Sequence, residues 1–347
     1  MRRSTKWMIT VHYYIALITG ILSFCIDQTT GEVYATAIVT VYSALISVAV
    51  FGLVPLLYYV DYNSPYLHVQ ISGLLFVLRV IGLMVTVICN WTKRQEFMAT
   101  LRDLMKARDY FLKRWPLSEK LEQKYENTLR MKYFCGFATT ASMLLLSREF
   151  FKLQFKVDSK YILPATMFMI SVFNVILVNY FLCILHLNTL QMALNEEVKK
   201  ILKMSRHLWH LQRSKQIGSG ALITQSCKLS DDLDELAAIQ YRLHLLGHRV
   251  FKLYDIQAAC FTLMIYLNNV SVYYMTYASF YRDQVIAKQY SPWVLMFMPL
   301  FLTFYYIDLT LFTLTKLAYP ELYIKTAEIL RDRQPCTPTL NGRLEES

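Results

Sequence analysis

The sequence is poor in charged residues: Asp, Glu, Lys and Arg make up only 18% of its 347 residues, whereas 55% are hydrophobic. Soluble chains are about a quarter charged and somewhat under half apolar. The composition therefore excludes an ordinary soluble enzyme. Together with 25 Tyr, 20 Phe and a mean hydropathy of +0.31, it predicts an all-α bundle that crosses a membrane several times.

The sequence also lacks the short motifs that carry enzyme chemistry. It has no Gly-rich phosphate loop, no Ser nucleophile elbow and no CxxC pair, and its seven Cys are an odd number without a paired framework. His244 and His248 lie four residues apart, but the Glu of an H-E-x-x-H zinc motif is missing. We therefore predict no enzyme activity, no metal site and no cofactor.

Apolar runs of about 20 residues are long enough to cross a bilayer. Six such runs lie near residues 34–59, 67–90, 133–151, 161–188, 255–280 and 292–315. A seventh run, 7–26, is weaker because it carries His12 and several Tyr. We therefore predict six spans, with the bundle covering residues 34–315.

Lys and Arg are distributed very unevenly between the two sides of this bundle. If both ends are cytosolic, 29 of the 36 basic residues lie inside, in 1–33, 91–132, 189–252 and 316–347. Only 6 lie on the opposite side. Because cytosolic loops of membrane proteins are enriched in Lys and Arg, this bias predicts a cytosolic N-terminus.

The weak run 7–26 is interpreted from the same rule. If it crossed the membrane, the basic N-terminus would move outside and leave 27–33 inside without a Lys or Arg. We therefore interpret 1–33 as a cytosolic or re-entrant segment. The net charge of +11 lies between apolar runs and not in one patch, so we expect membrane lipid as a partner and not nucleic acid.

Two cytosolic segments have the periodicity of amphipathic helices. Segment 192–211 continues the span that ends near His186, and segment 229–253 leads into the fifth span. The Gly-containing stretch SKQIGSGAL between them lets the chain reverse, which predicts a helical hairpin over 189–252. This hairpin either covers its own apolar face or provides a surface for subunit assembly. The candidate assembly residues are Leu229, Leu233, Leu236, Leu243, Leu246 and Val250.

Acidic residues in the hairpin and in the sixth span have local explanations. The run 231–235 is expected in the first turns of its helix, where negative charge complements the helix dipole. Asp308, in the cytosolic half of the sixth span, is explained equally well by a salt bridge, by snorkelling or by a role in ion conduction.

Polar side chains at membrane depth are costly, so each is a candidate for function. Along the fifth span, polar and aromatic residues recur at spacings of three, four and four and form one stripe. Such a stripe is typical of a small-molecule pocket with aromatic walls, but for each residue taken singly a hydrogen bond between packed helices is the more common explanation. The ligand-binding candidates are Tyr266, Asn269, Tyr273 and Tyr277 in this stripe, with Arg79 in the second span and Asn174 in the fourth.

Three stretches of the chain have a familiar order and spacing. They are LITGILSFCIDQTTGEV (17–33), with Gly20 and Phe24, ILHLNTLQMALNEEV (184–198) and CKLSDDLDELAAIQYRL (227–243). Together they resemble the insect gustatory receptors, and most closely the bitter-sensing type of the fruit fly. The resemblance covers essentially the whole chain.

The resemblance implies a taste receptor subunit of seven spans with a cytosolic N-terminus. Members of that family form homo- or hetero-tetrameric, ligand-gated, nonselective cation channels. The expected ligand is a small-molecule tastant, of the bitter class, sensed at the plasma membrane of gustatory neuron dendrites and axons. Ligand would enter the outer half of each subunit and lead to acceptance or avoidance.

The C-terminal stretch bears on the number of spans. Arg343–Ser347 resembles the segment that opens the short cytosolic run before the family's seventh, pore-lining span. By this resemblance, 316–347 is a cytosolic segment preceding the seventh span, and six of an expected seven spans are present. The polypeptide by itself is then expected to give no ligand-gated current.

The sequence bears on two other classes of membrane protein. A G-protein-coupled receptor is disfavoured because its N-terminus lies outside and because no D-R-Y or N-P-x-x-Y motif is present. A transporter-like or assembly protein without channel activity is the alternative. Internal repeats would support a transporter, and none is evident between the two halves.

Overall fold

The computed structural model describes residues 3–27, 32–60, 67–154, 159–216, 218–280 and 292–331. Helices account for nearly all of these residues, which confirms the all-α prediction. Long apolar stretches favour helices in a membrane because every backbone polar group must be satisfied within the segment.

The elements follow in a simple order. The N-terminal part contains α1 (Arg3–Ile18), the two-residue antiparallel strands β1 (Cys25–Ile26) and β2 (Val33–Tyr34), α2 (Ala37–Phe51) and a 3-10 helix (Val54–Tyr59). The remaining helices are α3 (Leu67–Thr92), α4 (Arg94–Arg114), α5 (Glu119–Gln154), α6 (Ser159–Arg213), α7 (Ser219–Phe280) and α8 (Pro292–Arg331).

Five of the described helical stretches are long and apolar enough to cross a membrane: Ala37–Tyr59, Gln70–Thr92, Leu163–Arg213, Ser219–Ser271 and Phe297–Arg331. They contain or overlap five of the six predicted spans. The described part of α5, which holds the remaining one (133–151), is not among them. The 16 residues of α1 extend about 24 Å, which is less than the roughly 30 Å of a hydrocarbon core. The count of six spans and the non-crossing α1 stay predictions.

The cytosolic extensions predicted from periodicity are continuous with the spans. Helix α6 runs through the fourth predicted span and 192–211 without a break, and α7 joins 229–253 to the fifth. The break falls between Arg213 and Ser219, where Lys215 takes a positive φ of 53°. Both long helices therefore follow from their sequence patterns.

The predicted position of the acidic run 231–235 is wrong. Helix α7 begins at Ser219, so the run lies in the helix interior and cannot serve the dipole of its first turn. Instead, Arg114 of α4 bridges Asp232 at 2.7 Å and Glu235 at 2.8 Å. The helix begins earlier than expected because Gly220, which was expected to belong to the chain reversal, lies within its first turn.

The chain divides into two compact units. The first contains Met1–Leu101, Glu126–Tyr180 and Phe251–Phe312, and the second contains Arg102–Tyr125, Phe181–Val250 and Thr313–Ser347. Buried side chains of α3 and α6, including Phe76, Leu83 and Ile176, form the core of the first unit. The second unit has its own core of leucines from α6 and α7 together with Phe111 of α4.

The N-terminal stretch that carries the family resemblance is anchored in the first unit. Gly20 has a φ of 71°, and a Cβ atom there would lie 2.7 Å from the Ile46 side chain, so glycine is required on both counts. The Asn90 amide donates to the Ile21 carbonyl at 2.9 Å. Arg94 donates to the Ser23 carbonyl and, at 2.7 Å, to Thr40. The segment is thus fixed by its backbone carbonyls.

In the second unit, the predicted assembly face is covered by the chain itself. The six residues Leu229, Leu233, Leu236, Leu243, Leu246 and Val250 are all buried. Tyr319 of α8 packs on this helix and donates to the Leu243 carbonyl at 3.0 Å. In the single chain, these six residues are thus covered by other parts of the same chain. A role for them in subunit assembly stays a prediction.

Side-chain amides of α6 fix α8 in the second unit. Asn188 donates to the Thr315 carbonyl at 2.6 Å, and Asn195 donates to the Leu322 carbonyl at 3.0 Å. The Thr326 hydroxyl donates to Asn195 at 2.6 Å. Buried amides need partners, so these bonds hold the two helices in one register. Asn195 is also one of the residues that carry the family resemblance.

Candidate ligand-binding site

The polar stripe of α7 lies largely on the surface of the chain. Tyr266, Tyr273 and Tyr277 are 64%, 67% and 60% exposed, while Asn269 is partly buried. The spacing of three, four and four therefore does place these residues on one face of a helix, as periodicity requires. The stripe is therefore accessible, and the other described residues of this chain do not enclose it.

Tyr306 of α8 connects this stripe to a second helix. Its hydroxyl donates a long hydrogen bond of 3.4 Å to Asn269, and it also lies near the Tyr273 hydroxyl. Two of the four stripe residues thus converge on one phenol. A small polar molecule entering here would find hydroxyl and amide groups beside aromatic faces.

Arg79 of α3 lies near Tyr305, the residue that precedes Tyr306 on α8. The guanidinium is partly buried, and the ring centre of Tyr305 is 5.2 Å from that of Tyr306. Because Tyr305 and Tyr306 are adjacent, α8 links Arg79 of α3 to the stripe of α7. Two regions that are nearly 200 residues apart in sequence therefore meet at one tyrosine pair.

An ion pair lies one turn further along α8. Asp308 accepts from the Lys132 ammonium at 2.7 Å, and the same ammonium lies 5.6 Å from the centre of the Phe312 ring. Of the three explanations for Asp308 given above, which are a salt bridge, snorkelling and ion conduction, the structure shows the salt bridge. It also supplies a charged group close to Tyr305.

Asn174 is placed elsewhere. Its amide donates to the Thr140 hydroxyl of α5 at 2.6 Å, a short bond between two packed helices. This bond matches the second interpretation of the polar residues, in which they join packed helices and do not bind a ligand. The structure therefore groups Arg79, Asn269 and Tyr273 around Tyr305 and Tyr306, and gives Asn174 a separate partner.

Three residues of this polar region are not predicted from the sequence. Tyr305 and Tyr306 do not stand out because aromatic residues are common throughout the sixth predicted span. Lys132 belongs to the predicted cytosolic segment 91–132. Its position directly before the third predicted span, however, indicates that its charge needs a partner at membrane depth.

The comparison with protein families decides the identity of this bundle. The family described as 7tm chemosensory receptor matches residues 9–346. The chain belongs to this family. It is a chemosensory receptor of the membrane and not a member of an enzyme family.

Individual relatives of this chemosensory receptor come from Drosophila melanogaster. The protein named gustatory receptor 36b is 23% identical over 97% of this chain and 84% of its own length. Those named 59d and 36c are 20% and 22% identical, over 98% and 96% of this chain and 85% and 84% of their own lengths. The resemblance to insect gustatory receptors is thereby confirmed.

A solved structure shares the fold. The insect olfactory receptor OR5 from Machilis hrabei matches with a TM-score of 0.60, covering 98% of this chain and 87% of its own, at 11% sequence identity. At that identity the likeness concerns the fold. The chemosensory receptor thus has the helical architecture of an insect chemoreceptor along nearly its whole length.

Proposed function

We propose that this chemosensory receptor is a taste receptor subunit that forms a ligand-gated, nonselective cation channel. The observation that carries the proposal is the family match over residues 9–346, to which the relatives named gustatory receptors add. The proposed ligands are small-molecule tastants of the bitter class, and the proposed outcome is avoidance or acceptance of food.

The proposed assembly is a tetramer, with identical subunits or with other gustatory receptor subunits. The proposed location is the plasma membrane of gustatory neuron dendrites and axons. Five stretches with the length and hydropathy of membrane helices support a multi-pass arrangement. The domain arrangement that goes with it is the one deduced from charge, with both ends in the cytosol.

We place the tastant site at the tyrosine pair Tyr305 and Tyr306. The observations that support it are the hydrogen bond from Tyr306 to Asn269 and the proximity of Arg79 to Tyr305. Exposed Tyr266, Tyr273 and Tyr277 provide further aromatic surface along the same stripe. Flat aromatic or heterocyclic tastants with one or two hydrogen-bonding groups match this chemistry.

The function can be tested in insect gustatory neurons that lack their own bitter responses. The chain is expressed alone and together with other gustatory receptor subunits, and calcium entry is recorded during exposure to a panel of bitter compounds. For the chain expressed alone, we expect no tastant-evoked calcium entry. Together with other gustatory receptor subunits, we expect calcium entry that neurons without the chain do not show. Excised membrane patches should retain tastant-evoked current without added nucleotides, since a channel needs no second messenger.

A protein that reaches the surface in every subunit combination and never produces current would favour the alternative of a non-channel membrane protein. Surface biotinylation provides the necessary control for delivery. A response that requires guanine nucleotide would instead contradict direct gating.

A further inference from the structure

A groove in the second unit has a charge pattern that taste reception leaves unexplained. It lies between α4 and α7, with a volume of about 410 Å³. Lys106, Arg242 and Arg249 line it, and Asp103 is the one carboxylate among its described lining residues. Buried apolar residues, including Leu246, line it as well. The groove is therefore both cationic and partly apolar.

The positive charge of this groove is not neutralised by the chain. Asp103 is 3.0 Å from Arg249 and compensates that residue. Lys106 and Arg242 are exposed and form no ion pair with any residue that the structure describes. Two cations thus remain available to an external anion. Holding both cations in one groove costs self-repulsion, which a bound anion would relieve.

The nearby tyrosine does not add negative charge. Tyr110 donates to the Glu235 carboxylate at 2.5 Å, and this hydrogen bond raises the pKa of the Tyr110 phenol. The phenol therefore stays neutral across the physiological range. Glu235 itself is engaged by Tyr110 and Arg114. Neither group competes with an anion for Lys106 or Arg242.

The positions of these cations match a ligand with more than one phosphate. Arg249 can add a further contact, because its pair with Asp103 is solvent-exposed and therefore weak, and it lies seven residues or about 10 Å from Arg242 along one face of α7. Lys106 faces them from α4 across the groove. A single small anion cannot contact cations spread over this distance, whereas a headgroup with several phosphates can.

The position of the groove next to the membrane favours a lipid as the source of those phosphates. Arg249 precedes Asp255, where the predicted fifth span begins, by six residues or about 9 Å of helix. The Lys and Arg distribution predicts that this side is cytosolic, and basic residues next to a span on that side attract anionic lipids. The apolar lining suits the glycerol and upper acyl region of such a lipid.

We propose that the groove between α4 and α7 binds the phosphorylated headgroup of an inositol lipid of the cytosolic leaflet. The proposal goes beyond taste reception, because it does not depend on which tastant opens the receptor. It assigns the groove formed by Lys106, Arg242 and Arg249 to a membrane lipid that would set how readily the receptor responds.

The test measures binding to the full purified chain in detergent. A fluorescent short-chain inositol bisphosphate lipid is titrated and its anisotropy recorded. The double variant Lys106→Gln/Arg242→Gln should weaken binding more than about tenfold, since each basic residue near a membrane surface contributes about a fivefold change in affinity. The matched control is Lys113→Gln/Lys228→Gln, which removes the same charge from exposed positions outside the groove.

Each outcome decides the proposal. Weaker lipid binding by the groove variant, with the control variant unchanged, supports the proposal. Equally weakened binding in both variants, or unchanged binding in both, overturns the site. Equal affinity for soluble inositol trisphosphate would show that the source is a free phosphate and overturn the lipid. Should the double variant fail to fold, Ala107→Glu places a carboxylate in the groove without removing a cation and must weaken binding as well.

Discussion

The ammonium of Lys132 and the carboxylate of Asp308 form a salt bridge of 2.7 Å between α5 and α8. The Lys132 side chain is 2% exposed and that of Asp308 20%, so water screens this pair only weakly. The second oxygen of Asp308 has no hydrogen-bond partner among the described residues. The carboxylate therefore depends on Lys132, and the pair joins two helices beside the proposed tastant site.

Replacing Lys132 by Met should strongly destabilise the receptor. The substitution leaves a carboxylate without its cation in a poorly hydrated place, and such losses cost about 3–5 kcal/mol. The measurement is the denaturation midpoint of the purified chain in detergent. The double variant Lys132→Met/Asp308→Leu should recover most of the loss, because both charges are then removed. Arg108→Gln, which breaks the exposed pair with Asp109, should cost no more than about 1 kcal/mol.

Gly247→Ala should also reduce the free energy of unfolding. The added methyl group would collide with the Tyr319 ring and disturb the hydrogen bond from its hydroxyl to the Leu243 carbonyl. Overpacking of this kind costs about 1–3 kcal/mol. In a Tyr319→Ala background the same substitution should be close to neutral. Gly136→Ala is the control, since no described atom beyond its own helical backbone lies within 4 Å of the added Cβ.

Tyr273→Ala should change tastant potency. The tyrosine is exposed on the α7 stripe and near the Tyr306 hydroxyl, and the loss of one aromatic contact corresponds to about a threefold to tenfold change in the effective concentration. Calcium responses in gustatory neurons provide the measurement. Tyr58→Ala removes a tyrosine that is more exposed than Tyr273 and lies outside the stripe, and it should leave potency unchanged. Loss of the Tyr273 variant from the cell surface would instead identify the residue as a packing residue.

An epitope tag before Met1 should be accessible to antibody only after the cells are permeabilised. The reason is the concentration of Lys and Arg in the segments assigned to the cytosol. A tag inserted within 281–291 should label intact cells and serves as the control. Labelling of the N-terminal tag on intact cells would contradict the cytosolic N-terminus. If the tag within 281–291 were also inaccessible on intact cells, the orientation of the bundle would be reversed and the basis for both proposed sites removed.

Sequence alone determined the helical membrane architecture of this receptor. Apolar runs of about 20 residues have few stable alternatives in lipid, and spacings of three and four assign the faces of α6 and α7. The one-sided polar stripe from Tyr266 to Tyr277 was predictable for the same reason. These features depend on neighbours along the chain.

Only the tertiary structure decided which of these faces meet and what covers them. It paired Lys132 with Asp308, gathered Arg79 and Asn269 at adjacent tyrosines of α8, and buried the leucine face of α7 within the chain. Periodicity assigns a residue to a face of its helix but carries no information about the helix packed against that face. Pairings between residues over a hundred positions apart depend on how helices pack, and that is decided by the shapes and charges of all of them together.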